Sequence, residues 1–172
     1  MVLLGGPSLA DQTDSRLDVL FDRLKNVESF GAAKTVEIHI WSIWGQSGDN
    51  AIDILMRDGV DSLGRRDFQR ALRAFNQIVT IAPDFAEGWN KRATLYYLMG
   101  DYQKSLADID KTLSLEPRHF GALAGRGLVY VELEDDTHAL KAFEDALLIN
   151  PFLPAARLNA EALRERLKDR EI

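Results

Sequence analysis

Pro83, Pro117 and Pro151 stand 34 residues apart, and the residues between them keep the same interval. Counted back from each proline, Leu55, Trp89 and Leu123 align, as do Gly59, Ala93 and Gly127. Ser62, Tyr96 and Tyr130 follow, then Ala71, Ser105 and Ala139, then Phe75, Ile109 and Phe143, then Ile78, Thr112 and Ala146. Bulky and small side chains therefore alternate in a fixed order with no insertion. A chain patterned this way repeats one small unit that cannot bury its own apolar face, so successive units must stack.

Each unit reads as two helices. Leu106, Ile109 and Leu113, and likewise Leu140, Phe143 and Leu147, recur at three- and four-residue spacing, which is a helical stripe. Asp67, Asp101 and Asp135 stand before each second helix, where a short carboxylate accepts orphan backbone N–H groups. The prolines close it, because proline cannot continue a helix. Small residues mark where two helices must approach closely, with bulky ones filling the gaps beside them.

These residues resemble the tetratricopeptide repeat. The middle unit fits best, with Trp89, Ala93 and Tyr96, the Gly100-Asp101-Tyr102 turn, then Ser105, Ile109, Thr112 and Pro117. The first unit has Ser62 where that family prefers tyrosine. The strings Ala86-Glu87-Gly88-Trp89-Asn90-Lys91-Arg92-Ala93 and Glu116-Pro117-Arg118-His119-Phe120-Gly121 also look like small exported alphaproteobacterial proteins of this kind. The resemblance implies an all-α fold, an α-solenoid wound as a right-handed superhelix of three helix hairpins (52–85, 86–119 and 120–153).

The flanks supply caps. Residues 14–28 carry Leu17, Leu20, Phe21, Leu24 and Val27 on one face of a helix. Gly31 then separates it from 32–44, where Val36-Glu37-Ile38-His39-Ile40-Trp41 alternates like a strand. Ala33, Val36, Ile40 and Trp44 also fit a helix, and a lone strand would have no partner, so 11–51 is expected to form an N-terminal helical hairpin. Asp49 is the expected N-cap of the first repeat. Residues 154–172 read as a C-terminal capping helix with Ala155, Leu158, Ala162, Leu163 and Leu167 inward and Arg157, Glu161, Arg164, Glu165 and Lys168 toward water.

Two readings fit residues 1–10. Ser8 and Ala10 ahead of Asp11 resemble the end of a secretory signal, but a basic leader and an apolar stretch of about 7–15 residues are missing. The alternative is an unstructured terminus. The first implies a periplasmic address, the second a cytoplasmic one.

Charge narrows the partners. Lys plus Arg number 21 against 27 Asp plus Glu, a net charge of −6, which disfavours nucleic acid and anionic membrane surfaces. No run approaches the roughly 20 apolar residues of a membrane span. The chain has no cysteine, so thiolate metal sites and cysteine nucleophiles are excluded. His39, His119 and His138 are dispersed and read as solvent-facing or locally bonded. No metal or other cofactor is expected, and no residue set suggests a catalytic site.

A protein or peptide partner is what the resemblance implies, held in the concave groove lined by the first helix of each unit. The matching positions here are Met56 and Val60, then Asn90, Thr94 and Tyr97, then Ala124, Leu128 and Val131. Asn90 is the foremost of these, since its amide both donates and accepts. Some members clamp a carboxylate terminus with lysines and asparagines. Met56, Asn90 and Ala124 occupy the column that begins that clamp, so the pattern is broken.

Three further features leave alternatives open. Asp58, Arg92 and Arg126 replace the family's leucine; the arginines either snorkel to water or line the groove to accept a partner carboxylate bidentately. An Asp58–Arg92 pair is within reach, as is Arg126 with Asp108 or Glu116. Gly127 belongs to a close-packing column, whereas Gly121 and Gly125 thin the groove wall. A homo-oligomer through Trp41, Trp44 or the Leu17 to Val27 stripe is the alternative to partner binding.

Overall fold

The computed structural model describes residues 11–169, so both readings of residues 1–10 lie outside the described residues. Nine α-helices and no strand occur among the described residues. They are α1 (Arg16–Asn26), α2 (Phe30–Trp44), α3 (Asn50–Gly64), α4 (Phe68–Ile81), α5 (Ala86–Leu98), α6 (Tyr102–Leu115), α7 (Phe120–Glu132), α8 (Asp136–Ile149) and α9 (Pro154–Asp169).

Helices α3–α4, α5–α6 and α7–α8 are the three repeat hairpins, and each packs on the next to form a solenoid. All three turn at the same hydrogen-bonded motif. Asp67, Asp101 and Asp135 donate their backbone N–H to the carbonyls of Ser62, Tyr96 and Tyr130, each at 2.9 Å. Arg66, Gly100 and Glu134 precede them in the left-handed region, at φ 61, 76 and 57°. Only glycine adopts that conformation freely, so Arg66 and Glu134 hold their turns at a cost of about 1–2 kcal/mol each.

Close approach is equally specific. A Cβ on Gly59 would lie 2.5 Å from the Phe75 ring, and one on Gly127 would lie 2.8 Å from Phe143. The small-residue column is thus what lets each first helix seat against the phenylalanine of its second. Trp89, Tyr96 and Tyr130 are only half-buried. Arg92 lies over Trp89 and Tyr96, 4.9 and 5.6 Å from their ring centroids.

Helix ends follow their caps. Asp49 accepts the N–H of Ala51 at 2.7 Å, Asp67 that of Arg70 and Asp135 that of His138. Asp101 departs from expectation, since its carboxylate pairs with Lys104 instead of capping α6. Gly31 also departs: Ser29 caps α2 at Ala32, so Gly31 sits inside the first helical turn and the connector is 27–29.

The N-terminal hairpin lies across the loops that join successive repeats. Gln12 accepts the N–H of Ala86 at 3.1 Å and donates to the Asp84 carbonyl. Trp44 stacks on His119 with centroids 4.2 Å apart, and Arg118 reaches Asp18 at 2.7 Å. Asn150 donates to Glu37. One loop of each repeat is therefore engaged. Leu17, Phe21, Leu24, Trp44 and Phe120 form the common core, while Leu20, Val27 and Trp41 of the surface offered for self-association are partly buried against it.

Helix α9 packs on α8 and closes the C-terminal end of the repeats with only part of the expected face, Leu163 inward and Arg157, Glu161, Arg164, Glu165 and Lys168 toward water. Ala156, Ala160 and Leu163 are buried, while Leu158 is 67% exposed and Ala155 and Ala162 face solvent. The small pair Ala156 and Ala160, four residues apart, permits close approach to α8; the larger leucine does not decide the face. Arg164 and Arg166 tie α9 to Glu144 and Asp136 of α8.

Candidate interaction groove

Helices α3, α5 and α7 line the concave side. Val60, Thr94 and Leu128, one repeat apart, are exposed along it, with Val60 41% and Leu128 38% accessible. Between α5 and α7 lies a cavity of about 70 Å3 lined by Asn90, Thr94, Tyr97, Gly121, Gly125 and Leu128, with Ala93, Ala122, Ser105 and Ile109 completing it. Ser105 and Ile109 come from α6 and were not among the expected groove residues. They show because glycine at 121 and 125 leaves the wall between α5 and α7 thin.

Of the expected residues, Asn90, Thr94, Tyr97 and Leu128 converge on this cavity. Val60 shares the face but not the cavity. Val131 is half-buried against the α7–α8 core. Met56 is buried with Ile52, Phe75 and Leu95, because the side chain at that position points between adjacent helices rather than into the groove. Ala124 is half-buried.

Arg92 and Arg126 are engaged on another flank. Arg92 makes a two-pronged bond to Asp108, at 2.7 and 2.8 Å, and a third to Asn76 at 2.9 Å. Arg126 pairs with Asp110, and Asp58 pairs with Arg70 rather than Arg92. Asn76 and Asp110 are themselves 34 residues apart, so the arginine column bridges each first helix to the second helix of the preceding unit. Both guanidinium groups are met by the chain's own acids.

Beneath the groove's end lies a buried polar network that the sequence did not disclose. Glu87 accepts from Asn90 Nδ2 at 2.8 Å and His119 Nε2 at 3.0 Å, and pairs with Lys91 Nζ at 2.8 Å. His119 Nδ1 accepts the Ala122 N–H at 3.0 Å, which caps α7 and places the ring proton on Nε2. Burial would raise the Glu87 carboxyl, but the Lys91 ammonium and His119 together outweigh it and hold the carboxyl at about 2. The network fixes Asn90 through one of the two N–H donors on its Nδ2.

Trp41 closes the same end. Its ring lies against Gly121, beneath the Lys91 ammonium at 5.6 Å, and edge-on to Phe120. At the far end, Tyr97 and Tyr102 both donate to Glu132, at 3.4 and 3.1 Å. Burial first, and then the Glu132 carboxylate, raises both phenols above their usual value, so both remain donors. Among the described residues no cluster of His, Asp and Glu is placed to hold a metal ion, and no helix is long and apolar enough to cross a membrane.

Stacked helix hairpins around an open concave face define an α-solenoid interaction domain. The tetratricopeptide repeat matches at residues 62–119 and again at 120–152. A TPR repeat-containing protein of Rhizobium etli is 37% identical over 152 residues, covering 88% of this chain and 74% of that one. The chain belongs to the tetratricopeptide-repeat family. Among solved structures, the Sgt2 TPR domain from Aspergillus fumigatus superposes with a TM-score of 0.66 at 20% identity, covering 72% of this chain and 83% of that one. The first TPR of Spaghetti (RPAP3), bound to the HSP90 peptide SRMEEVD, gives 0.66 at 17% identity over 68% and 93%. At such identities the likeness is one of fold.

Proposed function

We propose that this protein is a non-enzymatic scaffold that binds a peptide or helix of a protein partner along α3, α5 and α7. The observation that carries the reading is the row Val60, Thr94 and Leu128, left exposed beside a cavity with a fixed Asn90. A partner segment would place a small apolar side chain in the cavity and a backbone N–H on the Asn90 carbonyl oxygen.

An acidic peptide like the SRMEEVD bound by Spaghetti is not the proposed ligand. Lys91, next to Asn90 on α5, is already paired with Glu87. Met56, Asn90 and Ala124 bring no charge of their own. A mostly apolar segment with few charges suits this floor better. The periplasmic address accompanies the reading on the strength of Ser8 and Ala10 before Asp11; an intact Met1 in protein recovered from its cell overturns that address.

The test is selection from a random-peptide phage library against the wild-type chain and a Leu128→Arg variant. Leu128 is exposed, so the variant keeps its fold. Peptides selected by the wild type should share an apolar anchor and lose binding to the variant. Equal binding to both would remove the groove from the function.

A further inference from the structure

The solenoid has two edges, and they are treated differently. The edge made by the loops between repeats is covered by α1 and α2. Among the described residues nothing covers the edge made by the turns within repeats, where residues 64–67, 98–100 and 132–134 are exposed, and its three turns share one backbone geometry. Side chains at matched positions therefore stand in a row.

That row changes character from end to end. The first turn carries Arg65 and Arg66, the second Leu98 and Met99, and the third Glu132, Leu133 and Glu134. Leu98 is 51% exposed, Met99 39% and Leu133 38%. Among the described residues Arg65, Arg66 and Glu134 take part in no ion pair, whereas Asp101 of the middle turn is neutralised by Lys104. Neighbouring units lie about 10 Å apart, so the cationic and anionic turns are separated by roughly twice that. Physiological salt screens charges beyond about 8 Å, so the two ends of one edge do not satisfy each other.

We infer that this edge is a self-complementary interface, on which two copies of the chain pair antiparallel about a two-fold axis through the middle turn. That operation brings Leu98 and Met99 of each copy together at the centre. It also sets Arg65 and Arg66 of each against Glu132 and Glu134 of the other, so the charged contact is made twice, once on either side of the axis, and the assembly closes as a dimer. A parallel pairing would oppose arginine to arginine. The interface's apolar centre is only Leu98 and Met99 of each copy and the rest is charge, so association is weak and depends on salt.

The test uses the whole chain with Arg66→Glu and Glu134→Arg. Each new side chain enters a left-handed turn position that the same side chain already occupies one end of the row away, at φ 57 and 61°, so folding is preserved and circular dichroism verifies it. Sedimentation from micromolar to millimolar concentration should show a monomer–dimer equilibrium for the wild type. Salt near 1 M, where screening acts within about 3 Å, should weaken it at least about tenfold. Each reversal alone should weaken it at least about tenfold, because like charges then meet twice. An equimolar mixture of the two variants should dimerise as the wild type does, since every contact regains opposite charges. A wild type that stays monomeric at millimolar concentration overturns the inference. So does a dimer indifferent to both reversals, a mixture that fails to recover, or growth beyond the dimer.

Discussion

The Trp41 ring rests on Gly121 so closely that a Cβ there would stand 2.5 Å from its Cη2. The indole is hemmed by Trp44, His119 and Phe120, so it cannot swing aside without disturbing the hairpin. Gly121→Ala should therefore cost about 1–3 kcal/mol, as overpacking does, and should shift tryptophan fluorescence to the red. Gly125→Ala is the control. Its nearest neighbour would be Ile109 Cδ1 at 3.9 Å, so the gain in helix propensity, about 0.5–1 kcal/mol, should raise the melting temperature. Equal effects at the two glycines would show that the Trp41 ring is not held against Gly121.

A second pair separates structural charge from surface charge. Arg92 and Asp108 are largely buried, at 16 and 6% side-chain exposure, whereas Arg70 and Asp58 stand at 55 and 37%. Removing one member of a buried pair strands the other charge. Asp108→Ala should thus destabilise by about 2–3 kcal/mol, discounted from the full buried-pair range because the site is partly open. Asp58→Ala should cost less than about 1 kcal/mol. Urea denaturation checks both, and similar midpoints for the two variants would refute the distinction.

The repeat itself was legible because it is carried by local spacing. Gly59, Ala93 and Gly127 are small for a reason a pattern shows, namely the approach of a ring from the next helix. The cap at Asp49 needed only its own neighbours. What escaped depended on partners distant along the chain. Nothing near Trp41 announces Gly121, and Glu87 looks like any first-turn acid until His119 is folded beside it. Met56 belongs to the groove by its match to the family's groove positions, yet here it is buried with Ile52, Phe75 and Leu95. For α9 the apolar stripe holds at Leu163 but not at Leu158, since Ala156 and Ala160 fit the α8 surface and Leu158 does not.

Trp44 offers a further measurement. It is fully buried and stacked on His119, yet among the described residues its Nε1 has no acceptor. Trp44→Phe therefore removes an unmet donor together with some ring area, and should be far milder than Trp44→Ala, which should cost about 3–5 kcal/mol. Calorimetric melting of both variants would decide. A phenylalanine variant as unstable as the alanine one would mean that the indole N–H is bonded after all.

Acid should dismantle the Glu87 network over a defined range. The carboxyl sits near 2 in the folded chain, against an ordinary value of 4.5. A depressed acid stabilises fully above its unfolded value, and that contribution drains away as pH falls through the folded one. The wild type should accordingly lose stability between about pH 4.5 and pH 2. Asp14, Asp101 and Asp135 are also held below their usual range, first by Arg16, by Lys104 and by the His138 N–H respectively. They add to the same slope, so the wild type alone would not isolate Glu87. Glu87→Gln does, because the amide oxygen still accepts from His119 while nothing at that position titrates. Its unfolding free energy should start lower at neutral pH, since Lys91 loses its counter-charge, and should then fall less steeply with acid. The two curves should converge toward pH 2. Parallel curves across that interval would show that the Glu87 carboxyl is not the buried anion that joins the groove to the N-terminal hairpin.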